Sequence, residues 1–308
     1  MPSGVERLHS LGVRIPESEA CLFHGVRYID NGVIAQARFA EGAGLGIRRT
    51  VLHRALMERA GELGVDLQWG VTVRRLDGAR VLTDQGQFDG RCVVAADGRL
   101  SRLRSLAEIP TSCASRRRFG VRRHYRCTPW TDAVEVHWAD EGEVYVTPVG
   151  DEIIGVAVLT RTVPLDFNRH LECFPELARR LQDSEVVSSD RGAGPFGHRP
   201  KTVVRGRVAL VGDASGSLDP VTGEGVSVAI GQARALVGAV KRGRINDYID
   251  DHRRIMRIPS LLTELLLVAE TRPWLRRRMI RVFSASPRLF DRLVNTVGRG
   301  GRLVRTRR

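Results

Sequence analysis

Val208-Ala209-Leu210-Val211-Gly212-Asp213-Ala214, continued by Asp219-Pro220-x-x-Gly223-Glu224-Gly225, decides how the rest of the chain is read. Its apolar run is short enough for a buried strand, and Gly212-Asp213 ends it. Beyond the turn, Val226, Val228, Ala229, Ile230, Ala233, Leu236 and Val237 recur at helical spacing, which predicts a helix from about Gly223 to Val240. Core packing accounts for the strand and the helix. It does not account for acids and glycines concentrated between them. Glycine lets a backbone lie close to a ligand, and a helix N-terminus offers partial positive charge there.

Working outward, a second stretch has the same design. Cys92-Val93-Val94-Ala95-Ala96 reads as a buried strand that delivers Asp97-Gly98, followed by Arg99-Leu100-Ser101-x-Leu103-Arg104. Further upstream, Val51, Leu52, Ala55, Leu56, Ala60 and Leu63 predict a helix over 48–63, opened by Arg49 and stopped by Gly64. Taken singly, Arg49 is an ordinary solvated arginine and Asp97-Gly98 an ordinary turn. Between these landmarks, residues 65–69, 71–76 and 79–83 read as strand-like hairpin material around Asp77-Gly78. Strand runs at 120–125, 134–138, 144–148 and 153–159 predict an antiparallel sheet, helical spacing returns over 165–181, and residues 257–297 read as helical.

The three stretches, in this order, resemble the FAD-dependent aromatic-hydroxylase-type monooxygenases, a superfamily that also takes in the geranylgeranyl reductases and flavin halogenases. The resemblance runs from about Arg48 to Lys241 and implies an α/β (α+β mixed) chain. In it, a Rossmann-like FAD-binding domain (1–117 and 192–256) is interleaved with an antiparallel-sheet substrate domain (118–191), ahead of C-terminal helices and a basic tail (257–308). It implies FAD as cofactor and NAD(P)H as reductant. The cofactor contacts would come from Arg49, Asp97, Gly98, Gly212, Asp213, Pro220, Gly223, Glu224 and Gly225, with Arg49, Asp97 and Asp213 lining one cleft. His124, Tyr125 and Trp138 fall where the family builds its substrate-covering sheet, and each reads equally as a packed core residue. No catalytic residue is singled out.

The resemblance departs at the start. Such enzymes begin with a strand, a Gly-x-Gly-x-x-Gly turn and a helix that hold the FAD pyrophosphate. Here Gly42-Ala43-Gly44-Leu45-Gly46 precedes the arginine helix without the apolar strand that fingerprint needs, and Met1-Pro2-Ser3-Gly4-Val5 resembles a segment internal to the family. The expectation is a truncated start and an incomplete FAD domain.

Composition narrows the classes further. The 308 residues, 42% hydrophobic and 27% charged, fit a globular protein with a sizeable core. The net charge of +14 favours anionic partners, with basic clusters at 116–118, 122–123, 276–278 and 302–308. No zinc-finger or RNA-binding signature accompanies them, so they read mostly as solvated faces and nucleic acid is not an expected partner. Five scattered cysteines without a Cys-x-x-Cys pair give no metal or disulfide framework and suit a reducing, cytoplasmic setting.

Three functions are thereby carried forward. The first is an NAD(P)H-dependent monooxygenase acting on an aromatic, polyketide-like or lipid-like small molecule. The second is a reductase of isoprenoid double bonds, whose leucine- and arginine-rich C-terminal helices are candidates for peripheral membrane contact. The third is a catalytically dead flavin fold acting as a basic binding protein. Oligomeric state is not legible in these residues.

Overall fold

The computed structural model describes residues 1–113 and 117–298. Arg116 and the tail beyond residue 298, both singled out as basic clusters, lie outside the described residues. The chain is mixed α/β. It divides into one unit of Met1–Glu62, Arg116–Pro195 and Glu264–Arg299, and another of Leu63–Ser115 and Phe196–Thr263.

The first unit is organised by a large sheet. Its antiparallel centre consists of β10 (Phe119–Arg126), β11 (Ala133–Ala139), β12 (Gly142–Gly150) and β13 (Ile153–Thr160), paired in the order β10-β13-β12-β11. Side chains alternate across it, so Val121, Tyr125, Val144, Val146, Val156 and Val158 bury on one face. Phe167, Leu171, Leu177 and Leu181 of α4 (Phe167–Leu171) and α5 (Pro175–Leu181) cover that face. The predicted single helix over 165–181 is therefore two, because Pro175 cannot continue the first and instead opens the second.

The sequence reading left Ala20–Ile47 without elements, yet it supplies four strands. These are β1 (Ala20–Phe23), β2 (Gly25–Asp30), β3 (Val33–Arg38) and β4 (Gly44–Ile47). β2 joins β11 in parallel and turns into β3 over Asn31-Gly32, both at positive φ (47° and 77°), which is the type I′ hairpin geometry. β1 and β4 pair with each other, and α2 (Arg49–Glu62) follows. The short edge strands β14 (Glu185–Val186) and β15 (Arg191–Ala193) both pair with β10.

The C-terminal helices break at prolines into α7 (Asp247–Glu270), α8 (Pro273–Ala285) and α9 (Pro287–Gly298). Phe290 of α9 stacks on Phe283 of α8 and leans against Tyr28 of β2, with ring centroids 4.6 and 4.9 Å apart. Arg276, wholly buried, donates to Asp30 (2.9 Å), the Ala139 carbonyl (3.0 Å) and Asp140 (2.7 Å). A buried guanidinium is tolerable only with such complete pairing.

In the second unit, β8 (Val93–Ala95) and β18 (Val208–Leu210) run parallel, and β17 (Val204–Arg205) flanks β18. Ala95, Ala209 and Leu210 pack with Leu236 and Ala239 of α6 (Gly225–Lys241) and with Tyr248, whose hydroxyl donates to the Leu210 carbonyl at 2.9 Å. β8 is not buried on both faces as expected: Val93 and Ala95 are buried, but Val94 is 42% exposed. The hairpin β5 (Val73–Asp77) to β6 (Arg80–Thr83) forms as the Asp77-Gly78 turn predicts, and β7 (Gln87–Asp89) adds to it. Residues 65–69 form no strand, having no ladder partner among the described residues. Two smaller pieces complete the unit: α3 (Arg102–Leu106), and β9 (Thr111–Cys113) paired with β16 (His198–Pro200).

Candidate functional site

The parallel pairing of β8 with β18 brings two sequence-predicted turns to neighbouring strand ends. Val93, Val94 and Ala95 face Val208, Ala209 and Leu210 in register, and the Val211 N–H continues the ladder to the Ala95 carbonyl at 3.0 Å. Asp97-Gly98 and Gly212-Asp213 therefore emerge side by side at the carboxyl ends of adjacent strands, the place where open α/β sheets hold ligands.

The two aspartates are used differently. Asp97 accepts from Ser101 Oγ at 2.6 Å and from the Leu103 N–H at 3.0 Å, while Ser101 Oγ accepts the Arg104 N–H at 2.9 Å. It holds the entry to α3, and Gly98 at φ +78° makes the reversal possible. The Asp213 carboxylate, by contrast, is exposed and accepts no hydrogen bond among the described residues.

The Asp213 turn is rigid around that free carboxylate. The Gly212 N–H donates to Gln232 Oε1 at 2.7 Å, and Ser215 Oγ donates to the Gly212 carbonyl at 2.8 Å. His252 Nε2 lies 3.0 Å from Ser215 Oγ. Burial, then Arg253, pushes the His252 imidazole down to about 4, so it is neutral at pH 7. On the other side, His198 Nε2 lies 2.9 Å from the Asp213 carbonyl and Nδ1 lies 2.7 Å from Ser217 Oγ. Arg104 Nη1 lies 3.1 Å from the same Nε2, and a guanidinium that close favours the neutral ring. Burial, then Arg104, holds the His198 imidazole below its ordinary range, in keeping with that neutral form.

Arg104 ties the two turns together. It donates to the Arg99 carbonyl (2.9 Å) and to the Ala214 carbonyl (3.0 Å), one from each turn. After the second turn, buried Asp219 accepts the Val221 N–H at 3.2 Å, Gly223 takes φ +65°, and α6 starts at Gly225 with Glu224, buried, at its N-cap position. Pro220 opens a single 3-10 turn between them. No heavy atom approaches within 4 Å of where a Cβ would stand on Gly98, Gly223 or Gly225, so their backbone faces open space.

This donor set fits FAD. An unpartnered carboxylate suits sugar-alcohol hydroxyls, glycine backbone in open space allows close approach of a flat ring, and a helix start favours negative charge. Asp213, Gly212, Gly98 and the Gly223–Gly225 turn are the residues that would hold it. Among the described residues no group of three or more His, Cys, Asp or Glu could hold a metal.

In the other unit, Arg49 opens α2, exposed, with no described side-chain partner. His124 is buried in β10, with its Nδ1 3.1 Å from both Ser188 Oγ and Arg122 Nη1. Tyr125 points to the opposite face and packs with Phe167 in the core, centroids 6.3 Å apart. Trp138 is also core, only 4% exposed and edge-on to Tyr28 at 5.9 Å.

No protein-family model matches the chain. The chain is 25% identical over 241 residues to a putative 2-heptyl-3-hydroxy-4(1H)-quinolone synthase, AqdB1, of Rhodococcus erythropolis, covering 69% of this chain and 60% of that protein. It is 28% identical over 161 residues to digeranylgeranylglycerophospholipid reductase 1 of Methanothermobacter thermautotrophicus, covering 48% of this chain and 39% of that protein. The chain thus spans less than two thirds of the length of either curated relative. Among solved structures, HpxO of Klebsiella pneumoniae, complexed with FAD and uric acid, superposes with a TM-score of 0.77 over 97% of this chain and 86% of its own, at 19% identity.

The chain has the fold of the FAD-dependent monooxygenase superfamily.

Within that flavoprotein fold, sequence reasoning missed the residues that hold the turns. Gln232, His252 and His198 are distant in sequence from the turn they serve, and neither they nor nearby Ser217 lie in a recognisable spacing. Arg104 carried a signal, since it stands in the first turn of α3, three residues beyond the Ser101 N-cap.

Proposed function

We propose that this flavoprotein-fold chain is an NAD(P)H-dependent FAD monooxygenase that hydroxylates an aromatic, polyketide-like or lipid-like small molecule. The observation that carries the reading is the free Asp213 carboxylate beside the glycine-fronted start of α6. FAD, when bound, supplies the two-electron and oxygen chemistry; this chain's residues position it and keep water from the reacting atoms. Overall, NAD(P)H, O2, a proton and a substrate C–H yield NAD(P)+, water and the hydroxylated product. The similarity to a quinolone synthase supports an aromatic substrate.

A second reading has its own support. The match to a digeranylgeranylglycerophospholipid reductase favours reduction of an isoprenoid double bond, with hydride and proton added and no oxygen consumed. Trp274, Arg278 and Val282 form an exposed stripe on α8 with Arg277 and Arg281 beside it, the composition of a helix that lies on an anionic membrane surface. No helix among the described residues is long and apolar enough to cross a membrane.

An oxygen electrode separates the two. With FAD and NADH or NADPH supplied, the monooxygenase reading expects O2 uptake stimulated by an aromatic substrate. Substrate turnover that persists without O2 supports the reductase. A protein that takes up no flavin and oxidises neither nicotinamide overturns both and leaves the basic binding protein.

A further inference from the structure

Side chains alternate along β10, so Arg122 and His124 share one face of the sheet while Arg123 takes the other. Arg123 is saturated. It forks onto Asp190 at 2.7 and 2.8 Å, donates to Asn168 at 2.7 Å and lies 4.2 Å over the Phe167 ring. The Arg122 guanidinium, among the described residues, hydrogen-bonds His124 Nδ1 alone. Among the described residues, no carboxylate pairs with Arg122, Arg191 or Arg48.

Three separate segments bring these cations together. Arg191 of β15 stands directly opposite Arg122 in the register. Arg48 follows β4, which crosses β12 so closely that a Cβ on Gly46 would lie 1.7 Å from the Pro148 carbonyl oxygen. The crowding is felt electrostatically: burial, then Arg191 and Arg48, holds the Arg122 guanidinium below its usual range. Burial, then Arg122 and Arg48, pushes His124 down to about 4, so the imidazole is neutral at pH 7 and keeps an acceptor.

The floor beside them is small and open. Ala157 and Gly155 face Arg122 and His124 in register, Tyr145 and Thr147 follow on the next strand, and all four are partly exposed. Partly buried like charges repel until a counter-charge arrives, and here the described residues supply none.

We infer that this face of the sheet binds the oxyanion of a small molecule, a carboxylate or a phosphate ester, through Arg122, Arg191 and Arg48. Arginine forks match either group with paired N–H donors, and Gly155 and Ala157 leave room for the body of the ligand. The inference deepens the proposed function by making the substrate anionic. Only that last step rests on the flavoenzyme reading.

Calorimetric titration with benzoate, phenyl phosphate and neutral benzamide tests the site. One of the two anions should bind at least about tenfold more tightly than benzamide, and the tighter one identifies the oxyanion. Arg122→Gln and Arg191→Gln should each erase that preference, while Arg126→Gln, on the same face but paired with Glu185, should keep it. Because Arg191 is exposed, its variant separates lost binding from lost folding. Equal binding of benzamide, no binding of either anion, or equal losses in the Arg126 and Arg122 variants would overturn the site.

Flavin uptake is measured on the same preparations. Uptake without anion preference overturns this site alone; anion preference without uptake overturns the flavoenzyme reading and leaves this one. Loss of uptake in Arg122→Gln would hand the charge to the cofactor and overturn the inference.

Discussion

The paired turns of the second unit and the arginine face of the first are built in opposite ways. At the turns, nearly every polar atom is spent on holding backbone: Arg104, Gln232, His198 and Ser215 all bond to main-chain groups, and one carboxylate, Asp213, is left over. On the sheet, Arg122 meets a neutral histidine, and among the described residues three positive charges are left without a carboxylate. The first arrangement specifies shape and leaves little net charge; the second supplies charge on a plain floor. That difference separates a site for a large, many-contact ligand from a site for one ionic group.

The largest effect should come from the leftover carboxylate. Asp213→Ala is expected to weaken FAD about 100-fold, as loss of charge-assisted hydrogen bonds to a ligand does. Its melting temperature should stay within a degree or so of the parent, since an exposed, unpartnered side chain contributes little to folding. A large loss of stability instead would mean the carboxylate belongs to the scaffold and would erase the contrast.

Arg104→Ala should do the reverse, chiefly destabilising the fold. Two carbonyls lose a cationic donor and the turns lose their tie, a cost of about 2 kcal/mol in urea unfolding. Unchanged stability would remove Arg104 from the account.

Acid should reach both regions through their neutral histidines. His124 and His252 titrate at about 4 when folded and near the ordinary histidine value of 6.5 when unfolded, and His198 is lowered too. Their contribution is complete above about pH 6.5 and is lost as pH falls toward 4, because only the unfolded chain then takes up the protons. His252→Gln should flatten that slope in melting temperature against pH. A slope that stays the same would assign the acid sensitivity elsewhere.

The smallest change is expected at Arg122. Arg122→Gln should alter stability by no more than about 0.5 kcal/mol, or raise it slightly by relieving repulsion, whereas Arg123→Gln on the opposite face should cost about 1 kcal/mol. Equal losses would show that the two faces are alike.

How much of this was legible follows the same division. The Gly212-Asp213 and Asp97-Gly98 turns sit at strand ends, and their acids and glycines are contiguous in sequence, so the strand, turn and helix around each could be read directly, whereas the distant groups that hold them could not. Strands β10 to β13 were legible because period-2 alternation survives in a half-buried sheet. Ala20–Ile47 was not read, although Asn31-Gly32 is a strong hairpin signal; the flanking strands carry Arg27 and Gln36 at partly covered positions and the buried charge of Asp30, which blurs their alternation. The arginine face was invisible as a site. Its members come from three distant segments, and a basic pair such as Arg122-Arg123 does not announce that one arginine is neutralised and the other is not.

Hydrogen exchange with and without FAD tests the central claim most directly. Added FAD should slow amide exchange at Gly98–Leu103, Gly212–Ser215 and Gly223–Val228, with much less protection in Asp213→Ala. Protection confined to other segments, or no change on saturating addition, would contradict it.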